Sequence, residues 1–327
     1  MGDGLASTVN LIQAEIEAAN RIMVISHIRP DGDAVGSLLG LGLALEAAGK
    51  DVQMVLADGI PHNFRHLEGN HKIQTHASRP IDLMIVLDVS DLPRLGNSLQ
   101  GYGIPDINID HHVTNEKFAR INLVEGDAAA TAEIIANRLL SFGLTMTIPV
   151  ANALLTGIIT DTIGFRTSNV TPNLMRTVIK LMEAGASLSE MYYPALVART
   201  FAAVRYWGSG LTKLSRRGKL VWLNLSLEDR RISGYQGNDD ADLINELSAI
   251  EDADVAIILV EQAPSRVKIS WRVCGQADHV VDVSKIAKYF GGGGHKAAAG
   301  AEIEGELTDV EEKVVGITYQ YLADGLF

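Results

Sequence analysis

The chain has 327 residues, 47% of them hydrophobic, enough to bury a sizeable core and to divide into two domains. Its formal net charge of −12 argues against a grip on long nucleic acid along an extended basic groove, while leaving room for a compact anionic ligand. The single cysteine, Cys274, excludes an intramolecular disulfide, and no apolar run reaches the roughly 18 residues that a membrane span needs.

The segment Arg21 to Ser26 reads as a buried strand and leads directly into His27-Ile28-Arg29-Pro30-Asp31-Gly32-Asp33. Two carboxylates one residue apart, with no lysine between them, repel each other unless a cation sits there, and a metal ion is the expected cation. Asp33 to Gly49 is expected to be a helix with a small-residue face, stopped at Gly49. Asp51 to Ala57, Ile81 to Leu87, Asp106 to Ile109 and Phe118 to Val124 have strand character. Thr131 to Phe142, Ile148 to Thr160 and Thr171 to Ala184 are expected helices, the last opening near Pro172. This alternation predicts an α/β fold, a mostly parallel sheet with helices on both faces. Asp88, the triplet Asp110-His111-His112, and Asp161 each follow an apolar run, as His27 does. In open α/β sheets the carboxyl ends of strands are where sites are built.

From Leu188 to Arg217 the pattern is helical and turns basic, which predicts a linker helix over 188–217 with a solvated connecting face. The catalytic domain is accordingly expected over 1–187 and a smaller α/β C-terminal domain over 218–327. In the latter, strands Leu220 to Leu225, Val255 to Glu261 and Arg266 to Val273 surround a helix Asp240 to Ile250. A helix Val283 to Phe290 runs into the glycine-rich stretch Gly291 to Gly300, and an amphipathic helix Val310 to Leu322 closes the domain.

Hydrolysis on two cations needs ions about 3.5–4 Å apart, a bridging carboxylate and open positions for water and a phosphoryl oxygen. The residues supply enough donors: His27 and Asp31 for one ion, Asp33, His111 and Asp161 for the other, and Asp88 as the bridge and a catalytic residue. A water activated between the ions would attack phosphorus in line. His112, differently directed from His111, is the candidate for a hydrogen bond to the phosphoryl oxygen or for leaving-group assistance. Mixed imidazole and carboxylate donors suit two divalent ions of the Mn²⁺, Mg²⁺ or Co²⁺ kind.

The elements HxxPDGDAxG, a lone Asp after a strand, DHH and TDT resemble the DHH phosphoesterase superfamily. The segment GGGGHKAAAG, preceded by Ser270-Trp271-Arg272, resembles the DHH-associated C-terminal domain of the subfamily that includes RecJ and the nanoRNase/pAp phosphatases. The resemblance spans nearly the whole chain, and the single module followed at once by its associated domain points to the nanoRNase/pAp phosphatase branch. It implies His27, Asp31 and Asp88 on the first metal, and Asp33, Asp88, His111 and Asp161 on the second, with His112 on the scissile phosphate. It also implies Arg272, Gly293, Gly294 and His295 as substrate-binding residues, glycine backbone N–H groups being able to approach phosphate closely. The chain departs from the family in having Ile163 where TDTG is common, and Val273 where a small hydroxyl residue commonly follows the arginine.

Each signal has a plainer reading. Asp31 and Asp33 alone would be helix caps, Asp161 a helix-end polar residue, His112 a structural histidine and the glycine run a hinge. Arg94 either reaches the site or lies on the surface, Arg266 shares the strand of Arg272, and His62, His66, His71 and His76 are expected to be solvated. Trp207, Trp222 and Trp271 are expected to pack, as is Cys274.

The expected enzyme is a cytoplasmic, metal-dependent phosphoesterase acting on short oligoribonucleotides (nanoRNA) or pAp, with substrate between domains that hinge about the linker. The one cysteine and a start, Met1-Gly-Asp-Gly-Leu5, without a signal-peptide pattern fit that compartment. A cyclic-di-AMP or linear dinucleotide phosphodiesterase is the enzyme alternative, inorganic pyrophosphatase is disfavoured, and a non-catalytic nucleotide sensor is the alternative of another class. A homodimer is left open.

Overall fold

A computed structural model describes residues 2–324 apart from 79, 100, 276 and 278–280. Two compact units part between Ala198 and Arg199. In the first unit α1 (Gly2–Ala18) precedes β1 (Arg21–Ile25), α2 (Gly32–Ala47), β2 (Asp51–Val55), β3 (Ile73–Gln74), β4 (Leu83–Leu87), β5 (Ile107–Asp110) and β6 (Ile121–Val124). The helices α3 (Thr131–Arg138), α4 (Ile148–Asp161), α5 (Pro172–Glu183) and α6 (Leu188–Tyr192) follow. The six strands pair in parallel in the order β3-β2-β1-β4-β5-β6.

Strand residues two apart share a face, and the central strands are buried on both faces, so β1 and β4 are almost wholly apolar, whereas β2 and β5 carry the buried polar residues Gln53, Asn108 and Asp110. Ile22, Val24, Ile85, Leu87, Ile107 and Ile109 join the main core with residues of α1 to α4. The alternate residues Met23, Ile25, Met84 and Val86 form a smaller core on the other face, covered by Leu95 of a 3₁₀ turn and by Leu99, Tyr102 and Phe118.

The small-residue face of α2 lets it lie against α4. A Cβ on Gly36 would fall 2.5 Å from the Ala153 carbonyl and 2.9 Å from Gly157 Cα, and one on Gly157 would fall 2.9 Å from Asp33 Oδ1. Contacts that close exclude any side chain, so glycine is required at this crossing.

The second unit starts with α7 (Phe201–Leu211) and continues through β7 (Ser215–Arg217), β8 (Leu220–Leu225), α8 (Leu227–Ser233), α9 (Leu243–Leu247), β9 (Val255–Ala263) and β10 (Arg266–Val273). It ends with α10 (Val283–Tyr289), β11 (Gly293–His295), β12 (Ala298–Glu304) and α11 (Leu307–Asp324). Its sheet has the order β11-β12-β10-β9-β8-β7 and is antiparallel except for β8 with β9. Helices α10 and α11 cover one face, around Trp271, whose indole N–H donates to Thr318 Oγ1 at 3.1 Å. Helices α7 and α9 cover the other.

Several boundaries differ from expectation. The stretch 188–217 is not one linker helix. Helix α6 and the turn Tyr193–Val197 end at Ala198, which is extended, and Thr200 caps α7 by accepting from the Ala203 N–H. Capping by Thr starts a new helix, and the basic Arg216 and Arg217 belong to an edge strand that turns at Gly218 (φ 60°). The helix expected over Asp240 to Ile250 shortens to α9, because Ala241 and Asp242 are left-handed (φ 53° and 64°) and cannot join it. The strand expected from Phe118 begins only at Ile121, the Ala119 N–H and carbonyl being taken by the Asn122 side chain at 3.1 and 2.6 Å. The glycine run that follows α10 enters a hairpin, β11 with β12. A Cβ on Gly292 or Gly294 would strike the Gly300 or Ala298 carbonyl, at 2.1 and 2.5 Å. Among the described residues no helix is long and apolar enough to cross a membrane.

Candidate metal centre

Strand order places the centre. Chain order runs outward from β1 to β2 and β3, and in the other direction from β4 to β5 and β6, so the switch lies between β1 and β4. His27 follows β1, Asp88 follows β4, and Asp110-His111-His112 leaves β5 at the same edge. Asp31 caps α2, its Oδ1 accepting from the Asp33 and Ala34 N–H groups at 3.1 and 3.0 Å. The same Oδ1 lies 3.8 Å from His27 Nε2, and a carboxylate offers about four lone-pair sites, so the cap and ligand readings of Asp31 are compatible.

Asp33 is buried in the first turn of α2. Its oxygens accept from the backbone N–H groups of Thr131 (2.6 Å) and Ala132 (2.9 Å) at the start of α3, and from Ser37 Oγ (3.1 Å). Asp161 is the last residue of α4, and the α2–α4 contact brings the two carboxylates to one place. Beyond it Ile163, where the resembled family commonly has glycine, holds φ 48°, an uncommon backbone for a β-branched residue. Asp88 is also left-handed (φ 59°), a strained conformation that turns its carboxylate inward, where Thr131 Oγ1 donates to Oδ1 at 3.1 Å.

The imidazoles close the centre. His27 Nδ1 lies 2.9 Å from the Ile28 carbonyl, which fixes Nδ1 as donor and Nε2 as the basic nitrogen. That Nε2 is buried without a hydrogen-bond partner, 3.4 Å from Asp88 Oδ2 and 3.8 Å from Asp31 Oδ1. His111 Nε2 stands 3.6 Å from Asp88 Oδ1 and 3.5 Å from Asp161 Oδ2. Donor atoms of His27, Asp31 and Asp88 lie within 4.8 Å of one another, as do those of Asp33, His111 and Asp161, and those of Asp88, His111 and His112. In the last group the His112 nitrogen facing Asp88, at 3.7 Å, is Nδ1, and it lies only 2.7 Å from Asp110 Oδ1. His112 Nδ1 is thereby engaged by a carboxylate, which separates His112 from His111.

The charge state of this cluster is unbalanced. Burial, then the Asp88 charge, pushes Asp33 up to about 7, and burial with the Asp33 charge lifts Asp161 well above its ordinary value. Burial opposes ionisation of Asp88, yet His27, His111 and His112 hold it down at about 2. Burial likewise opposes the imidazolium of His27 and of His111. Neighbouring carboxylates outweigh it and raise them to about 8 and 9. Crowded carboxylates that compete for protons, with an unpartnered imidazole nitrogen aimed among them, are the donor set that divalent cations fit.

Sequence reasoning did not single out Thr131, Ser37 or Asn115, and it gave Asp110 no role apart from its triplet. Only Asn115, three residues after His112 in a polar segment, carried a local turn signal. Arg94 is close enough for its charge to oppose protonation of His27, and its carbonyl accepts from the Ile28 N–H at 2.9 Å.

The second unit holds the remaining expected residues. Arg272 and His295 both pair with Ala298 of β12, so they share a sheet face with one strand between them. Arg272 is half-buried, donates to the Trp271 carbonyl at 3.1 Å and lies in the field of Asp240 and Asp242. Gly293, Gly294 and His295 form the exposed edge strand. Arg266 lies at the far end of β10, paired with Glu302 at 3.7 Å, away from that cluster.

Residues 21–158 match the DHH family, N-terminal domain, and residues 231–320 match the DHHA1 domain. A bifunctional oligoribonuclease and PAP phosphatase NrnA of Thermus thermophilus is 33% identical over 298 residues, spanning 90% of this chain and 88% of that protein. Among solved structures, an exopolyphosphatase-related protein from Bacteroides fragilis aligns with a TM-score of 0.86 at 22% identity, over 96% of both chains. RecJ of Thermus thermophilus in complex with Mn²⁺ aligns with a TM-score of 0.56 at 13% identity, over 97% of this chain and 55% of that one. These two speak for the fold. The chain belongs to the DHH phosphoesterase family and carries that family's DHHA1 domain.

Proposed function

We propose that this protein hydrolyses short oligoribonucleotides and pAp with the help of two divalent cations, Mn²⁺ in preference to Mg²⁺ or Co²⁺. The observation that carries the reading is the pair of three-residue donor clusters, His27/Asp31/Asp88 and Asp33/His111/Asp161, linked by the short distance between His111 and Asp88. His27, Asp31 and Asp88 would hold one ion, and Asp33, His111 and Asp161 the other, with Asp88 shared. When bound, such ions supply Lewis acidity at phosphorus and lower the pKa of water.

The chain's own residues do the rest. Thr131 and the start of α3 fix Asp88 and Asp33, so the donors need not reorganise. His112, oriented through Nδ1, is proposed to contact the scissile phosphate through Nε2. Arg272, with Gly293, Gly294 and His295, is proposed to contribute nucleotide affinity. A net charge of −12 supports a small substrate over a polymer, and the relative named for oligoribonuclease and PAP phosphatase activities supports the substrate class. Cytoplasmic residence is part of the same proposal.

The test is product analysis with purified protein and Mn²⁺ on pAp, a diribonucleotide, cyclic di-AMP and pyrophosphate. Mononucleotide from the diribonucleotide and phosphate from pAp, both lost with chelator, are expected. Turnover confined to cyclic di-AMP or to pyrophosphate would replace this reading, and binding without turnover would make the protein a sensor.

A further inference from the structure

We propose that Asn115 is a positioning residue: it locks the Asp110 carboxylate, and through it the tautomer of His112. The inference rests on the hydrolytic reading above. Asp110 is wholly buried, and a buried carboxylate must have its lone pairs met by donors. Its Oδ1 accepts from the His111 backbone N–H at 2.9 Å and from His112 Nδ1 at 2.7 Å. Its Oδ2 accepts from Asn115 Nδ2 at 2.6 Å. The carboxylate plane is therefore held by a histidine on one oxygen and an amide on the other.

The amide orientation follows from its partners. Asn115 Oδ1 accepts from the Lys117 N–H at 2.7 Å, so the nitrogen must be the atom facing Asp110, which can only accept. The same nitrogen lies 3.0 Å from the Val89 carbonyl and 2.8 Å from Asn108 Oδ1. Asn108 is buried, and its own Nδ2 reaches the Val86 and Val89 carbonyls at 3.4 and 3.3 Å. The Asn115 N–H also donates to the His112 carbonyl at 3.1 Å, closing the turn that carries the histidine. One side chain thus ties three things together: the residue after Asp88, the floor of the sheet and the carboxylate that grips His112.

The consequence is chemical. With Asp110 fixed as an acceptor, Nδ1 of His112 carries a proton in either charge state, and Nε2 is the nitrogen proposed to meet substrate. It accepts when the ring is neutral and donates when the ring is protonated. Without Asn115 the Asp110 Oδ2 loses its donor, the carboxylate turns, and the ring is free to exchange tautomers. A structural asparagine, by contrast, would affect stability and every ligand of the centre alike.

The test uses the full-length protein and three variants, Asn115→Ala, His112→Asn and the double variant, with Asn115→Asp as an isosteric second probe that sets two carboxylates face to face. Long-range ¹H–¹⁵N spectra of the His112 ring, identified by its loss in His112→Asn, should show the Nδ1–H form alone in the parent and a mixture in both Asn115 variants. For pAp with Mn²⁺, Asn115→Ala should lower kcat by about 10- to 100-fold, the usual cost of losing an orienting partner, with KM changed by less than about threefold. Added to His112→Asn it should cost less than about twofold more, since both act through one ring. Mn²⁺ affinity, read by titration without substrate, should stay within about threefold of the parent.

An unchanged His112 tautomer, multiplicative losses in the double variant, or a parallel collapse of Mn²⁺ affinity would each overturn the proposal. Should the parent fail to hydrolyse pAp, the substrate reading fails, and the spectra still decide the role of Asn115.

Discussion

Replacing Gly36 by Ala probes the contact that assembles the centre. The added methyl would meet the Ala153 carbonyl at 2.5 Å, Gly157 N at 2.7 Å and Gly157 Cα at 2.9 Å. All three atoms are backbone, so no side chain can swing away, and α2 must move off α4. Overpacking of this kind costs about 1–3 kcal/mol, and three backbone clashes put Gly36→Ala at the upper end of that range. The gain in helix propensity from Gly to Ala, about 1 kcal/mol, offsets part of it, leaving a net loss of about 2 kcal/mol. For a unit of this size that is a fall in Tm of about 4–8 °C.

Gly4→Ala in α1, where a Cβ meets nothing within 4 Å, is the control and should raise Tm slightly. Because Asp33 lies three residues before Gly36 and Asp161 four after Gly157, the same displacement should weaken Mn²⁺ binding by about 10-fold or more. Calorimetry and Mn²⁺ titration read the two effects. A Gly36→Ala protein melting within a degree of the parent, with unchanged Mn²⁺ affinity, would refute the claim that this crossing sets the ligand geometry.

Asp88→Ala should abolish turnover while circular dichroism shows a retained fold, and near-normal rates would remove Asp88 as the shared ligand. Arg272→Ala should raise KM for nucleotide substrates with little change in kcat, as expected for uniform binding, and an unchanged KM would take Arg272 out of recognition. Burial disfavours ionisation of Asp229, but Lys213 at 2.5 Å and the Ser226 donors more than compensate, so its carboxyl is held below its ordinary range. A depressed folded pKa stabilises above the unfolded value, about 4, and that stability is lost as pH falls below it. Urea midpoints between pH 6 and 3 should therefore fall less steeply in Asp229→Asn, and parallel curves would deny the linkage. Burial, then the Asp254 charge, pushes the Cys274 thiol up to about 12, so a thiol reagent at about pH 8 should label it only after unfolding. Rapid labelling of the native protein would contradict its burial.

Local chemistry made much of this protein legible in its sequence. Apolar runs such as Arg21 to Ser26 and Ile81 to Leu87 announce buried parallel strands because a central strand covered on both faces has few polar positions. A ligand-type residue after each run is visible for the same reason. What escaped was set by contacts between residues distant in the chain. Strand order alone puts His27 beside Asp88. The absence of side chains at Gly36 and Gly157 lets Asp33 and Asp161 meet. Nothing near Thr131 foretells that its hydroxyl serves Asp88, 43 residues away. The two histidines of Asp110-His111-His112 look alike as letters, yet one meets Asp88 and Asp161 through Nε2 and the other is held through Nδ1 by Asp110. The glycine run, whose strand pairing the sequence did not announce, forms a hairpin in which its glycines answer to the carbonyls of Ala298 and Gly300. The end of the stretch read as one helix, Ser215 to Arg217, is a strand because it pairs with β8, a partnership that no local signal announces. Residue type and spacing report what a group can do. Which groups act together depends on the packing distances that only the folded chain sets.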